Sequence, residues 1–176
     1  MADVDQLTGS LAQIADAMPC GFHDTELRSF VVSWPEESIR ISGMAWVAED
    51  EPDPEIYRPF DLTVHGLRSL LTPLALKAVE SSGTISLAFG EPASCDGHQG
   101  WPPGREPERP PFPDVPAYSF FLHDVNDFIT FQAASATLEW TGPSIAVKDP
   151  ASQHGRPTMV SGLLCQVRIA RRFLFS

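Results

Sequence analysis

Residues 39–47 alternate between two kinds of side chain with a period of two. Small or aliphatic residues alternate with polar or bulkier ones: Ile39, Ile41, Gly43, Ala45 and Val47 against Arg40, Ser42, Met44 and Trp46. A period of two places the two sets on opposite faces of an extended strand. Because Phe30, Val32 and Trp34 show the same period before the turn residues 35–38, the sequence predicts a β-hairpin over 27–47. The chain must therefore build a sheet and cover at least one of its faces.

The same reasoning predicts strands at 60–64, 85–89, 118–123, 128–140 and 163–175. Residues 67–80 are ambiguous, because Pro73 interrupts them and 74–80 fit a short helix. The strands follow one another without a regular alternation with helices. The expected fold class is therefore α+β: a mainly antiparallel sheet or sandwich of about seven strands.

An N-terminal helix over 3–18 is expected to pack on this sheet. Its apolar residues recur at spacings of three and four, which places them on one helical face: Val4, Leu7, Leu11, Ile14 and Met18. Pro19 and Gly21 are expected to end the helix.

The chain of 176 residues is expected to form a single domain, 1–176, containing a loop rich in proline and glycine at 90–116. No run of about 18 apolar residues is present, so we expect no membrane span. The N-terminal segment has no basic region followed by an apolar stretch, so we expect no secretory signal. Cys20, Cys95 and Cys165 are too widely spaced for a disulfide framework, which favours a cytoplasmic protein.

The net charge of −11 argues against a nucleic-acid partner, since neutralising phosphates requires clustered lysine and arginine. It favours either simple solubility or a basic protein partner. The acidic stretch at 48–55 supplies the candidate interaction residues: Glu49, Asp50, Glu51, Asp53 and Glu55.

No motif for nucleophilic catalysis or phosphate binding is present, so the sequence predicts no catalytic residue. Cys165 lies on the apolar face of the last predicted strand, which indicates an unreactive thiol in the core. Cys95 is close to His98, which could activate it, and next to Asp96, which would oppose thiolate formation.

Two His-Asp pairs, 100 residues apart, form the remaining candidate site. His23 and Asp24 precede a predicted strand, and His123 and Asp124 follow another. If the two strand ends meet, they offer two imidazoles and two carboxylates, a set that suits zinc, or iron if one carboxylate is left out. The alternative is that both pairs are turn residues whose carboxylates accept local backbone hydrogen bonds.

Three segments of the chain carry a resemblance. They are "GFHDTELRSFVVSW" with "IRISGMAWV", then "YRPFDLTVHGLRSLL", and "FFLHDVNDFITFQAASATLEW". They resemble an uncharacterised bacterial family with a GFHDxEL strand start and an aromatic strand ending in LEW. The chain is more loosely similar to the immunity proteins of bacterial toxin systems, many of which are small acidic α+β proteins of the cytoplasm. The first resemblance implies no catalytic residue, and the second implies a protein partner.

The sequence therefore favours a non-catalytic acidic interaction module that needs no cofactor. A metal-dependent enzyme that uses the two His-Asp pairs and a small-ligand-binding domain capped by the 90–116 loop are the alternatives.

Overall fold

The structure, a computed structural model, describes residues 6–49, 55–73, 76–89 and 91–147. It is mostly antiparallel β-sheet, with 57% strand and one short helix near the N-terminus. In chain order the described elements are β1 Gln6–Gly9, α1 Leu11–Ala17, β2 Thr25–Ser33, β3 Ser38–Glu49, β4 Glu55–His65, β5 Ser69–Leu71, β6 Lys77–Ser81, β7 Thr84–Ala88, β8 Ala93–Gln99, β9 Ala117–Leu122, β10 Asp127–Gln132, β11 Ser135–Trp140 and β12 Ile145–Val147.

The described strands form one connected sheet in the order β1-β11-β4-β3-β2-β8-β9-β10-β5. Strand β2 divides one of its edges between two partners, β8 along its first residues and β7 along its last. Strand β4 is divided in the same way between β12 and β11. Branching lets a single sheet hold many short strands.

The sheet curls around Phe22, which lies between strands that are not neighbours. The ring of Phe22 is 6.2 Å from that of Phe60 on β4 and 5.5 Å from that of Phe120 on β9. Three strands separate β4 from β9, and in a flat sheet this would place them roughly 19 Å apart. The inner face therefore closes on one apolar core, to which α1 adds the buried side chains of Leu11 and Ile14.

The N-terminal prediction is corrected by the structure. Gln6–Gly9 is a strand paired with β11, and the helix within the described residues is Leu11–Ala17, while residues 3–5 of the predicted helix lie outside them. The capping box is formed by Ser10 and Gln13, each side chain bonding the other's backbone N–H. Pairing with β11 satisfies the backbone of the segment that helical spacing had assigned to the helix.

The sheet has 12 strands within the described residues, against about seven expected. The β2–β3 hairpin is confirmed, whereas the strand predicted over 128–140 is two strands separated at Ala133 and Ala134. Lys77–Ser81, within the ambiguous segment, is strand β6. The segment predicted as a loop at 90–116 contains β8, and its described remainder from 100 onward has no helix or strand. The strand predicted at 163–175, including Cys165, lies outside the described residues.

Among the residues described here, no helix is long and apolar enough to cross a membrane.

Candidate functional site

The two His-Asp pairs meet because β2 and β9 both pair with β8. Thr25 and Leu122 are the register partners of Cys95, one on each side. His23 and Asp24 immediately precede Thr25, and His123 immediately follows Leu122. The register therefore brings the start of β2 and the end of β9 to the same part of β8, where the next residue is Asp96.

Asp96 lies between the two histidines. Its Oδ1 is 2.7 Å from Nδ1 of His23 and accepts a 3.1 Å hydrogen bond from the backbone N–H of Asp24. Its Oδ2 is 3.1 Å from Nε2 of His123. One carboxylate thus joins three chain segments, although in the sequence it stands out only as the neighbour of Cys95.

The Nε2 atom of His123 has a distinctive environment. It is buried, and within the described part of the chain it forms no hydrogen bond, although it lies 3.1 Å from Oδ2 of Asp96. A buried polar atom that lacks a hydrogen bond costs free energy, which a ligand bound beside Asp96 would offset.

Charge and burial shift the pKa values of His23 and Asp96. Burial alone would lower the pKa of His23, but the hydrogen bond to Asp96 and the charges of Asp24 and Asp96 outweigh it and raise the pKa above its ordinary value. Burial alone would raise the pKa of Asp96, yet the hydrogen bonds from Asp24 and His23 and the charges of both histidines lower it. The charged forms of the pair are therefore mutually stabilised.

The donor atoms have metal-ligand spacing. One ligand atom from each of His23, Asp24 and Asp96 falls within 4.8 Å of the others, and Asp96 also contacts His123. Donors around a tetrahedral zinc ion at about 2.0 Å stand roughly 3.3 Å apart, so small shifts of His23, Asp24 and Asp96 would bring their donor atoms around one ion, whereas His123 adjoins this group through Asp96. Side chains of His23 and Asp24 are 45% and 39% exposed, so one side of the cluster faces solvent. These residues could hold a divalent ion and leave a position for water.

Asp124, the fourth ligand predicted from sequence, is exposed in the turn after β9 and is not part of this group. The structure therefore brings together His23, Asp24 and His123, and places Asp96 where Asp124 had been expected. Asp96 is recognisable only from the register of β8 with β2 and β9, which no local sequence pattern contains.

Negative charge is concentrated beside the cluster. The pKa of the Tyr57 hydroxyl is raised, first by burial and then by the charges of Glu55, Asp24 and Glu26. The hydroxyl donates a hydrogen bond to Glu55. Glu49 and Glu55 are register partners at the end of β3 and β4. The other acidic residues predicted for interaction, Asp50, Glu51 and Asp53, lie outside the described residues.

Cys95 is completely buried on the inner face. Burial, and then the charges of Asp96 and Asp24, raise the pKa of this thiol well above its ordinary value. His98 is exposed two residues further along β8. The thiol therefore stays protonated and is a core residue rather than a nucleophile.

A cavity of about 170 Å³ lies between α1 and strands β8 and β9. Apolar side chains of Leu11, Ala15 and Phe22 line it, together with Gly97. A Cβ atom at Gly97 would lie 2.7 Å from Cβ of Phe22, so the glycine lets β8 pass beneath this ring. The helix, rather than the 100–116 segment, borders this cavity.

Comparison with protein-family models, with curated proteins and with solved structures gave no match for this chain. The geometry of the cluster is therefore the basis for a functional assignment.

Proposed function

We propose that this chain is a metal-dependent enzyme with a zinc-type site formed by His23, Asp24 and Asp96, with His123 in contact with Asp96. The observation that supports this proposal is the position of Asp96, whose two carboxylate oxygens each face an imidazole nitrogen from a different strand end. One donor atom from each of His23, Asp24 and Asp96 lies within 4.8 Å of the others, a separation that a single ion can bridge.

Imidazole nitrogen and carboxylate oxygen are the donors that catalytic zinc uses in oxygen- and nitrogen-ligand sites, with water in the remaining position. A bound ion would lower the pKa of that water and supply hydroxide near neutral pH. Asp24 belongs to the group and is 39% exposed, so the carboxylate oxygen that does not face the ion can accept the proton. The site therefore favours hydrolysis of an acyl or related bond.

The charges around the cluster favour cation capture. Asp24, Glu26 and Glu55 each contribute to raising the pKa of Tyr57, so three carboxylates lie in the neighbourhood of this side chain, and one of them is Asp24 of the proposed site. An acidic region of this kind raises the local concentration of cations. The net charge of −11 contributes in the same direction.

Isothermal titration of the metal-free protein with Zn²⁺, Mn²⁺ and Fe²⁺ tests this proposal. We expect one equivalent of Zn²⁺ to bind, and Asp96→Asn or His123→Gln to weaken binding at least about 10-fold. His65→Gln is the matched control, because His65 lies on β4 and contacts Thr137 instead. Absence of stoichiometric binding, or equal affinities of Asp96→Asn and His65→Gln, would refute the proposal.

Activity provides a second measurement. The zinc-loaded protein should hydrolyse 4-nitrophenyl acetate faster than the metal-free protein, and Asp24→Asn should reduce the rate. Rates that are the same with and without zinc would remove the enzymatic part of the proposal and leave a metal-binding protein.

The acidic interaction module remains a separate prediction based on net charge. Affinity capture with the full chain at low and at physiological salt tests it, since charge-driven binding to a basic partner weakens as salt rises. Recovery of no basic protein at either salt concentration would count against it.

A further inference from the structure

A row of aromatic side chains extends from the proposed metal site across the outer face of the sheet. Asp96, Phe121 and Phe128 are register partners on β8, β9 and β10. The neighbours of Phe121 on β9, Phe120 and Leu122, are buried in the core, so Phe121 faces outward. Directly opposite residues on one face lie about 5 Å apart, so this row carries apolar surface away from the ion position.

Ring contacts make the row continuous. The ring of His123 is 5.2 Å from that of Phe121, and the ring of Phe121 is 4.9 Å from that of Phe128. Both phenylalanines are only partly buried. The two rings are inclined by 52°, which makes a shallow trough rather than a flat platform.

The row ends at a small cavity of about 100 Å³. Phe128 forms one wall, and Trp101 and Pro102 from the following loop contribute another. The loop is held on the sheet, because the Ser119 hydroxyl donates a 2.7 Å hydrogen bond to the carbonyl of Gly100. A cavity of roughly 150 Å³ is known to accept benzene, so this open cavity is of the right order for part of one ring.

Charged groups border the cavity without filling it. The guanidinium of Arg105 lies 5.7 Å from the centre of the Phe128 ring and pairs with Asp127. The pKa of Asp127 is lowered despite partial burial. The main cause is the hydrogen bond from the backbone N–H of Phe128, followed by the contact with Arg105. Because these charges neutralise each other, the cavity suits an uncharged group.

We infer that the site takes an acyl compound with an aromatic ring at its far end. This inference depends on the proposed function, since the carboxyl or carbonyl group would bind the ion held at Asp96. The ring would lie along Phe121 and Phe128 and reach the cavity beside Trp101. Two strand spacings separate Asp96 from Phe128, so the ring and the ion-binding group stand on the order of 10 Å apart.

The metal-free site should reject such a ligand. Asp24 and Asp96 face the position of a carboxylate and repel it until an ion offsets their charge. Dependence on the ion therefore separates the inferred site from a nonspecific apolar surface.

Titration of 4-phenylbutyrate and butyrate into zinc-loaded and metal-free protein tests the inference. On the zinc-loaded protein, we expect 4-phenylbutyrate to bind at least about 10-fold more tightly than butyrate, because the ring removes apolar surface from water. Phe128→Ala or Trp101→Ala should abolish this difference while zinc affinity stays unchanged. Phe112→Ala, which removes an exposed ring that does not line the cavity, is the matched control.

The outcomes separate this inference from the proposal on which it depends. If zinc binds but both acids have equal affinity, or if Phe128→Ala and Trp101→Ala bind 4-phenylbutyrate as the wild type does, the inference is wrong and the metal site stands. If 4-phenylbutyrate binds the metal-free protein equally well, the ion-anchored mode is wrong. If zinc does not bind at all, the proposed function fails and the ion-anchored ligand fails with it.

Discussion

His23 and Asp96 are 73 positions apart in the sequence, yet Nδ1 of one lies 2.7 Å from Oδ1 of the other. The contact joins the segment before β2 to the middle of β8. It raises the pKa of His23 and contributes to lowering that of Asp96, each against an opposing effect of burial.

This pair should make the stability of the metal-free protein depend on pH. The contribution of His23 is fully present below its ordinary pKa of 6.5 and is lost as pH rises through the higher folded value. The contribution of Asp96 is present above its ordinary pKa of 3.8 and is lost as pH falls through the lower folded value. The stabilisation is therefore greatest between 3.8 and 6.5.

Urea unfolding of the metal-free wild type and Asp96→Asn checks this expectation. Near pH 5.5 the substitution should lower the free energy of unfolding by about 1 kcal/mol, a value reduced by the solvent exposure of His23. Near pH 8.5 the difference should be smaller. An equal difference at both pH values would show that His23 is not charged by its contact with Asp96.

Gly97 should tolerate no side chain. A Cβ atom there would lie 2.7 Å from Cβ of Phe22 and 3.0 Å from Cε1 of Phe120, both of them core residues. We expect Gly97→Ala to cost about 1–3 kcal/mol in the free energy of unfolding. Because Phe22 precedes His23, the substitution should also weaken zinc binding. Combining it with Phe120→Leu, which removes the Cε1 atom 3.0 Å away, should cost less than the sum of the single substitutions, and strict additivity would contradict the crowding.

Phe120 should be a major core contributor. It is 1% exposed and contacts the rings of Phe22 and Phe131. Phe120→Ala should reduce the free energy of unfolding by about 3–5 kcal/mol through lost burial and a residual cavity. Phe112 is 39% exposed, and Phe112→Ala should change the free energy by less than about 0.5 kcal/mol. Thermal or urea unfolding of both variants gives the comparison, and similar losses would place Phe120 outside the core.

Cys95 should resist alkylation in the native protein. Its thiol is completely buried, with a pKa well above the ordinary value. Iodoacetamide near pH 8 should modify this residue only after unfolding, whereas Cys20, which is partly exposed, should be modified in the folded state. Peptide mass spectrometry measures both. Rapid native modification of Cys95 would mean that the inner face of β8 opens readily.

Local pattern predicted the hairpin of β2 and β3, because both strands and their turn lie within one short stretch of sequence. The same kind of reasoning was wrong for the residues before Ser10, where helical spacing predicted helix and pairing with β11 makes a strand instead. The partner of that strand lies more than a hundred residues away, so no local pattern contains the information. The long strand predicted over 128–140 was wrong for a similar reason, since Ala133 and Ala134 divide it between partners at opposite ends of the sheet order.

The candidate site was only partly accessible from the sequence. The two His-Asp pairs suggested that strand ends could meet, and the structure brings His23, Asp24 and His123 to one carboxylate. That carboxylate belongs to Asp96, which lies in a glycine-containing strand that had been assigned to a loop. Recognising it required the register of β8 with both β2 and β9.

The shared register of β2, β8 and β9 also has a kinetic consequence. Its three segments come from distant parts of the chain, so their donor atoms assemble only after slow, long-range strand pairing has taken place. An ion could not template the early steps of folding, because Asp96 lies 73 positions from His23 in the sequence and joins it only after β8 pairs with β2. Zinc should therefore slow unfolding far more than it accelerates refolding. During refolding, zinc should bind only after the last long-range strand contacts have formed.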